Sequence, residues 1–140
     1  MNDKYFIDTN IFVYAFNQDE PEKNKIANNL IESALIERSG CISYQVIQEF
    51  INVSTKKFEV PLSVRDCQKY LNSVLSPLCE IFTSFDLYHR ALEIMERWQY
   101  SFYDSLILGS AIQADCKILY SEDFQHNQKI QSLTIINPFI

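Results

Sequence analysis

Asp8, Glu49, Asp104 and Asp123 are scattered along the chain, and the residues around each suggest a strand end or the early part of a helix. Carboxylates brought together from separate elements are the hard oxygen donors that Mg2+ and Mn2+ select, so the pattern points to an acidic metal pocket. Asp8 is the clearest case: it closes the apolar run Tyr5-Phe6-Ile7 and is followed by the small polar pair Thr9-Asn10. Three or four carboxylates holding two such cations supply what phosphodiester hydrolysis needs, namely charge neutralisation at the phosphate, an activated water and a stabilised leaving oxygen. The chain has two histidines, His89 and His126, which argues against a His-rich zinc centre. Each acid also has a plainer reading. Asp8 and Asp104 suit helix caps, Glu49 belongs to a polar helix face, and Asp123 competes with its neighbour Glu122.

Strands and helices alternate along the chain. Short apolar strands are expected at Lys4 to Ile7, Cys41 to Ser43, Cys79 to Thr83, Lys117 to Tyr120 and Leu133 to Ile136. Asn10 to Phe16 reads as a helical turn, and a helix follows from Pro21 to Arg38 with Gly40 as its stop. Val46, Ile47, Phe50 and Ile51 mark one face of a helix from Tyr44 to about Lys57, with Gln45, Gln48, Glu49 and Asn52 on the other. Ser63 caps a further helix that Pro77 ends, Ser84 or Asp86 opens one through Trp98, and Ser101 starts another. That last helix is nearly apolar all round from Leu106 to Ala114, so it should be packed on several sides, with Asp104 at its polar N-terminal edge. The alternation predicts an α/β fold: one domain over residues 1–140, with a mostly parallel sheet of about five strands flanked by helices. In such sheets ligands bind beyond the carboxyl ends of the strands, a crevice that all four acids can reach.

Composition narrows the function classes. With 47% hydrophobic and 14% aromatic residues, 140 residues can build a core without staples. Two glycines, Gly40 and Gly109, exclude a glycine-rich phosphate loop. The four cysteines, Cys41, Cys67, Cys79 and Cys116, are widely spaced in apolar surroundings and read as reduced core thiols. No stretch is long and apolar enough for a membrane span, so a cytoplasmic protein is expected. Twelve Lys+Arg against eighteen Asp+Glu give a net charge of −6, which argues against holding nucleic acid mainly by charge but not against a nuclease whose metals reverse the local sign.

Taken together, the motifs resemble those of the PIN-domain nucleases, particularly the VapC-type toxins of toxin–antitoxin pairs. The resemblance rests on Ile7-Asp8-Thr9-Asn10, Gln48-Glu49-Phe50, Tyr103-Asp104-Ser105-Leu106-Ile107, Leu119-Tyr120-Ser121-Glu122-Asp123-Phe124 and the terminal Ile136-Asn137-Pro138-Phe139, in order over nearly the whole length. It implies a PIN-like fold and a metal-dependent endoribonuclease in which Asp8, Glu49, Asp104 and Asp123 hold Mg2+ or Mn2+. Water would attack the phosphorus in line, leaving a 5′-phosphate and a 3′-hydroxyl. It further implies that Thr9, Asn10 and Ser121 support the acids, that the protein is a homodimer, and that a cognate antitoxin neutralises it.

Lys56, Lys57, Arg65 and Lys69 either guide RNA phosphates or form a solvated face. His126 and Asn127 either contact substrate or stabilise a loop. Trp98 and Tyr100, flanking Arg97, suit base stacking, although Trp98 continues an apolar stripe and reads as core. Phe12, Tyr14 and Phe16 look exposed and would form a dimer face or an antitoxin groove. Two other functions compete: a non-catalytic PIN-like module that binds RNA or a partner, and a phosphatase with Asp8 as nucleophile, whose usual D-x-D-x-T pattern Asn10 breaks.

Overall fold

The structure is a computed structural model that describes residues 3–140. Its elements run β1 (Tyr5–Ile7), α1 (Thr9–Tyr14), α2 (Pro21–Glu37), β2 (Gly40–Ser43), α3 (Tyr44–Lys56) and α4 (Val64–Tyr70). A π-helical stretch, Leu71–Leu75, joins α4 to α5 (Ser76–Leu78), after which come β3 (Cys79–Ile81), α6 (Phe85–Trp98), α7 (Phe102–Gln113), β4 (Ile118–Tyr120), β5 (Lys129–Ile130) and β6 (Leu133–Ile136). Six strands form one sheet in the order β3-β2-β1-β4-β6-β5. All neighbours are parallel except β5, which pairs antiparallel with β6 through a tight return in which Gln131 has a φ of 54°.

β1 lies in the middle, paired with β2 and β4, and its three residues are buried, as a strand covered by helices on both faces requires. Phe6, Ile42, Phe50, Leu108, Leu119 and Ile135 are fully buried in the core. α7 is buried from Ser105 to Ala111, in line with its apolar circumference, and packs along α6. Side-chain caps set several helix starts: Ser63 Oγ accepts from Asp66 N, Ser84 Oγ from Leu87 N and Ser101 Oγ from Asp104 N. None of the helices described is long and apolar enough to cross a membrane.

Two local expectations change. α2 stops at Arg38 as expected, but what stops it is Arg38 itself, in the left-handed conformation with φ 58°, and not Gly40. Gly40 instead opens β2 where a Cβ would come within 2.6 Å of both the Ala34 Cβ and the Tyr5 ring, so close packing requires it. Pro77 lies one residue before the end of the continuous helical run from α4 to α5, which stops at Leu78 as its position in the sequence suggests. Phe12 is fully buried rather than exposed, since α1 lies against α2 and α3, while Phe16 packs on Phe50, Phe58 and Tyr70. The cysteines are free thiols; Cys41, Cys67 and Cys116 are buried and Cys79 partly so. The Cys41 and Cys116 sulfurs lie 3.5 Å apart, and their hydrogen bond together with burial pushes the Cys41 thiol up.

Candidate active site

After β1 the chain builds β2 and β3 on one side, then crosses back through α6 and α7 to lay β4 on the other. Strand order therefore reverses between β1 and β4, and the loops leaving their carboxyl ends part to open a crevice. Asp8 follows β1 and Ser121 follows β4. Asp8 N donates to Tyr120 O at 3.0 Å, which fixes the two loop starts against each other.

Asp8 is only 4% exposed, so its carboxylate must be satisfied from within. It caps α1: Thr9 N donates to Oδ1 at 2.7 Å, and the Ser121 hydroxyl donates to Oδ2 at 2.7 Å. Asn10 Nδ2 spans the loops, reaching Asp123 Oδ2 at 3.0 Å, Ser121 Oγ at 3.3 Å and Asp8 Oδ2 at 3.4 Å. Its Oδ1 accepts from Glu122 N at 3.3 Å, and Asp123 N donates to Ser121 Oγ at 3.0 Å. Glu49 comes from α3: Thr9 Oγ1 donates to its Oε1 at 2.6 Å. The structure thus links Asp8, Glu49 and Asp123 through Thr9, Asn10 and Ser121. Asp104, in the first turn of α7, is not bonded into that network by its side chain; its backbone approaches through Tyr103, whose carbonyl accepts from Gln45 Nε2 at 3.1 Å.

Burial pushes the Asp8 carboxyl up to about 7; the bonds from Ser121 and Thr9 oppose this, and the charges of Asp123 and Glu49 add to it. The side-chain ion pairs among the described residues are Lys4–Glu80 and Lys23–Glu122, neither of which offsets these four acids. Uncompensated carboxylates around a buried aspartate are a donor set that fits a hard divalent cation. Asp8, Glu49, Asp104 and Asp123 are the residues that would hold it. As they stand, no three acidic, histidine or cysteine side chains among the described residues are arranged to hold a metal ion; Glu49 and Asp123 are turned to Thr9 and Asn10 instead.

Of the adjacent acids, Glu122 turns away from the crevice. It takes Lys23 Nζ at 2.7 Å and the Tyr14 hydroxyl at 2.6 Å, and these bonds outweigh its burial to hold it below the usual carboxylate range. Phe139 packs edge-on against Tyr14 at 4.9 Å, tying the chain's end to the same clamp. His126 is a loop anchor, its Nδ1 accepting from Asn137 N at 2.9 Å. Sequence reasoning passed over Gln45, whose Nε2 also donates to Glu49 Oε2 at 3.3 Å. Its distance of four residues from Glu49 on one helix face was the available signal.

The family model of the PIN domain matches residues 5–129. The chain belongs to the PIN-domain family. Solved structures share this PIN fold at low identity. A chain of a toxin–antitoxin complex from Klebsiella pneumoniae is 19% identical with a TM-score of 0.68, over 96% of this chain and 98% of that one. VapC20 of Mycobacterium tuberculosis, a toxin that cleaves the sarcin–ricin loop, is 19% identical with a TM-score of 0.62, over 86% and 90%. A chain of VapBC2 from Rickettsia felis, bound to a promoter DNA fragment, is 24% identical with a TM-score of 0.60, over 94% and 96%. No curated protein sequence matches significantly.

Proposed function

We propose that this PIN-domain protein is a Mg2+- or Mn2+-dependent endoribonuclease and the toxin of a toxin–antitoxin pair. The observation that carries the reading is the buried Asp8 carboxyl at the sheet's switch point, bonded by Thr9 and Ser121 and without a cationic partner. A divalent cation bound there supplies neutralisation of the phosphate charge and acidification of water. Thr9 N and Ser121 Oγ hold Asp8 in a single orientation; Thr9 Oγ1 and Gln45 Nε2 hold Glu49 from two sides. Asn10 bonds both Asp8 and Asp123, and Asp104 stands in the first turn of α7 next to the Tyr103 carbonyl that Gln45 holds. The toxin assignment draws on the toxin–antitoxin neighbours of the fold, and with it come a cognate antitoxin and a homodimer as expected partners.

The test is cleavage of total RNA with Mg2+, Mn2+ or a chelator. Wild-type protein should leave 5′-phosphate ends only with metal. Asp8→Asn or Asp104→Asn should abolish cutting with the circular dichroism spectrum unchanged, whereas Asp123→Asn, altering an exposed acid, should keep a residual rate. Full activity in a folded Asp8→Asn protein would remove the assignment.

A further inference from the structure

We propose that a pocket beside the carboxylates receives a single unpaired base of the RNA, a proposal that rests on the ribonuclease reading. The pocket, about 200 Å³, lies beyond the carboxyl ends of β2 and β3, on the same edge of the sheet as Asp8 and Ser121. Ser43, the last residue of β2, and Gln45, in the first turn of α3, line it together with the rings of Tyr44, Phe82 and Tyr103.

Two features give it the character of a base site. Ser43 and Gln45 are 2% and 8% exposed, yet Ser43 Oγ and Gln45 Oε1 have no hydrogen-bond partner. Natural folds rarely leave such groups unpaired without a use for them. The orientation of the Gln45 amide is fixed, because both partners of its Nε2, Glu49 Oε2 and Tyr103 O, are acceptors. Gln45 Oε1 is therefore left as an acceptor, while the Ser43 hydroxyl is free to donate or accept, so the pair can meet an N–H and an adjacent polar group on a base edge.

The second feature is aromatic surface. Tyr44 and Phe82 stand edge to face at 4.7 Å and, with Tyr103, are 44%, 53% and 66% exposed, so their rings can turn and offer faces for stacking. The pocket has room for one base, not a pair, which matches single-stranded RNA splayed at the cut. Gln45 also connects recognition to chemistry, since the amide that faces the base at one end holds Glu49 and the carbonyl preceding Asp104 at the other.

Binding is tested apart from cleavage by titrating adenosine, guanosine, cytidine and uridine into the full chain in EDTA, followed by NMR of the Gln45 side-chain amide and the aromatic rings. Saturable shifts at Gln45, Tyr44 and Phe82, strongest for one nucleoside and weakened in Phe82→Ala and Ser43→Ala, are expected. In RNA cleavage the same base should be enriched at one fixed distance from the cut. Phe82→Ala should raise KM about five- to tenfold, with kcat within about twofold, and flatten the enrichment. No saturable shift with any nucleoside, or cuts with no base preference at any fixed position, would overturn the proposal. Nucleoside binding by a protein that cuts no RNA would retain a base pocket and remove the nuclease reading.

Discussion

Replacing Asp8 by Asn should stabilise the metal-free protein at alkaline pH and cease to do so in mild acid. The wild-type carboxyl ionises near 3.8 when unfolded and at about 7 in the fold, where burial disfavours the anion. A carboxyl raised in this way contributes stability that is complete below the unfolded value and is lost as pH rises through the folded one. The loss amounts to ~4 kcal/mol at pH 8, ~2 kcal/mol at pH 5 and under ~1 kcal/mol at pH 4. Asn carries no charge at any of these values, and its Oδ1 can keep the bond from Thr9 N. Its Nδ2, however, sets a donor beside Asn10 Nδ2 and against a Ser121 hydroxyl that already accepts from Asn10 and Asp123 N. That mismatch costs ~1–2 kcal/mol. The variant should therefore be more stable than wild type by ~2–3 kcal/mol at pH 8, equal near pH 5 and slightly weaker at pH 4. Urea unfolding of both proteins in EDTA, followed by circular dichroism, should show a midpoint ~1–2 M higher for the variant at pH 8. Added Mn2+ should raise the wild-type midpoint and leave the variant's where it was. A variant less stable at pH 8, or a difference unchanged between pH 8 and pH 4, would falsify the account of Asp8 as an uncompensated buried acid.

Gly40→Ala should destabilise the fold by ~2–3 kcal/mol in the same urea experiment, because the new methyl meets a backbone-anchored Ala34 Cβ at 2.6 Å and not a side chain that can swing aside. Lys23→Met should free Glu122 and loosen the loop that carries Asp123, weakening Mn2+ binding by roughly tenfold in calorimetry with little change in melting temperature, while Lys23→Arg should restore it. Equal Mn2+ affinity in Lys23→Met would mean that the clamp does not govern Asp123.

The strands that frame the crevice were legible because each is an apolar run stopped by a polar residue: β1 ends at Ile7, just before Asp8, and β4 at Tyr120, just before Ser121. β5 was not, since a two-residue strand has no period and exists only through its return onto β6. The misplacement of Phe12 has a similar cause: six residues of helix contain too few turns for apolar spacing to tell an inner face from an outer one. Glu122 and Asp123 could not be separated by pattern, because what separates them is Lys23, 99 residues away in sequence. Gln45 was overlooked because a polar side chain on a helix flank usually meets water; here α7 covers it and turns it into a bridge between two walls.

The bond between Ser121 and Asp8 spans 113 residues, and β1 has no partner on one side until β4 exists. On the ribosome this means that Asp8, Glu49 and Asp104 are all made, and β2 and β3 can pair, well before the hydroxyl that orients Asp8 emerges. A nascent or truncated chain that stops short of Ser121 carries three of the four acids with half of its central ladder open. The contact that orients Asp8 therefore forms only after β4 has emerged, whatever has folded before it.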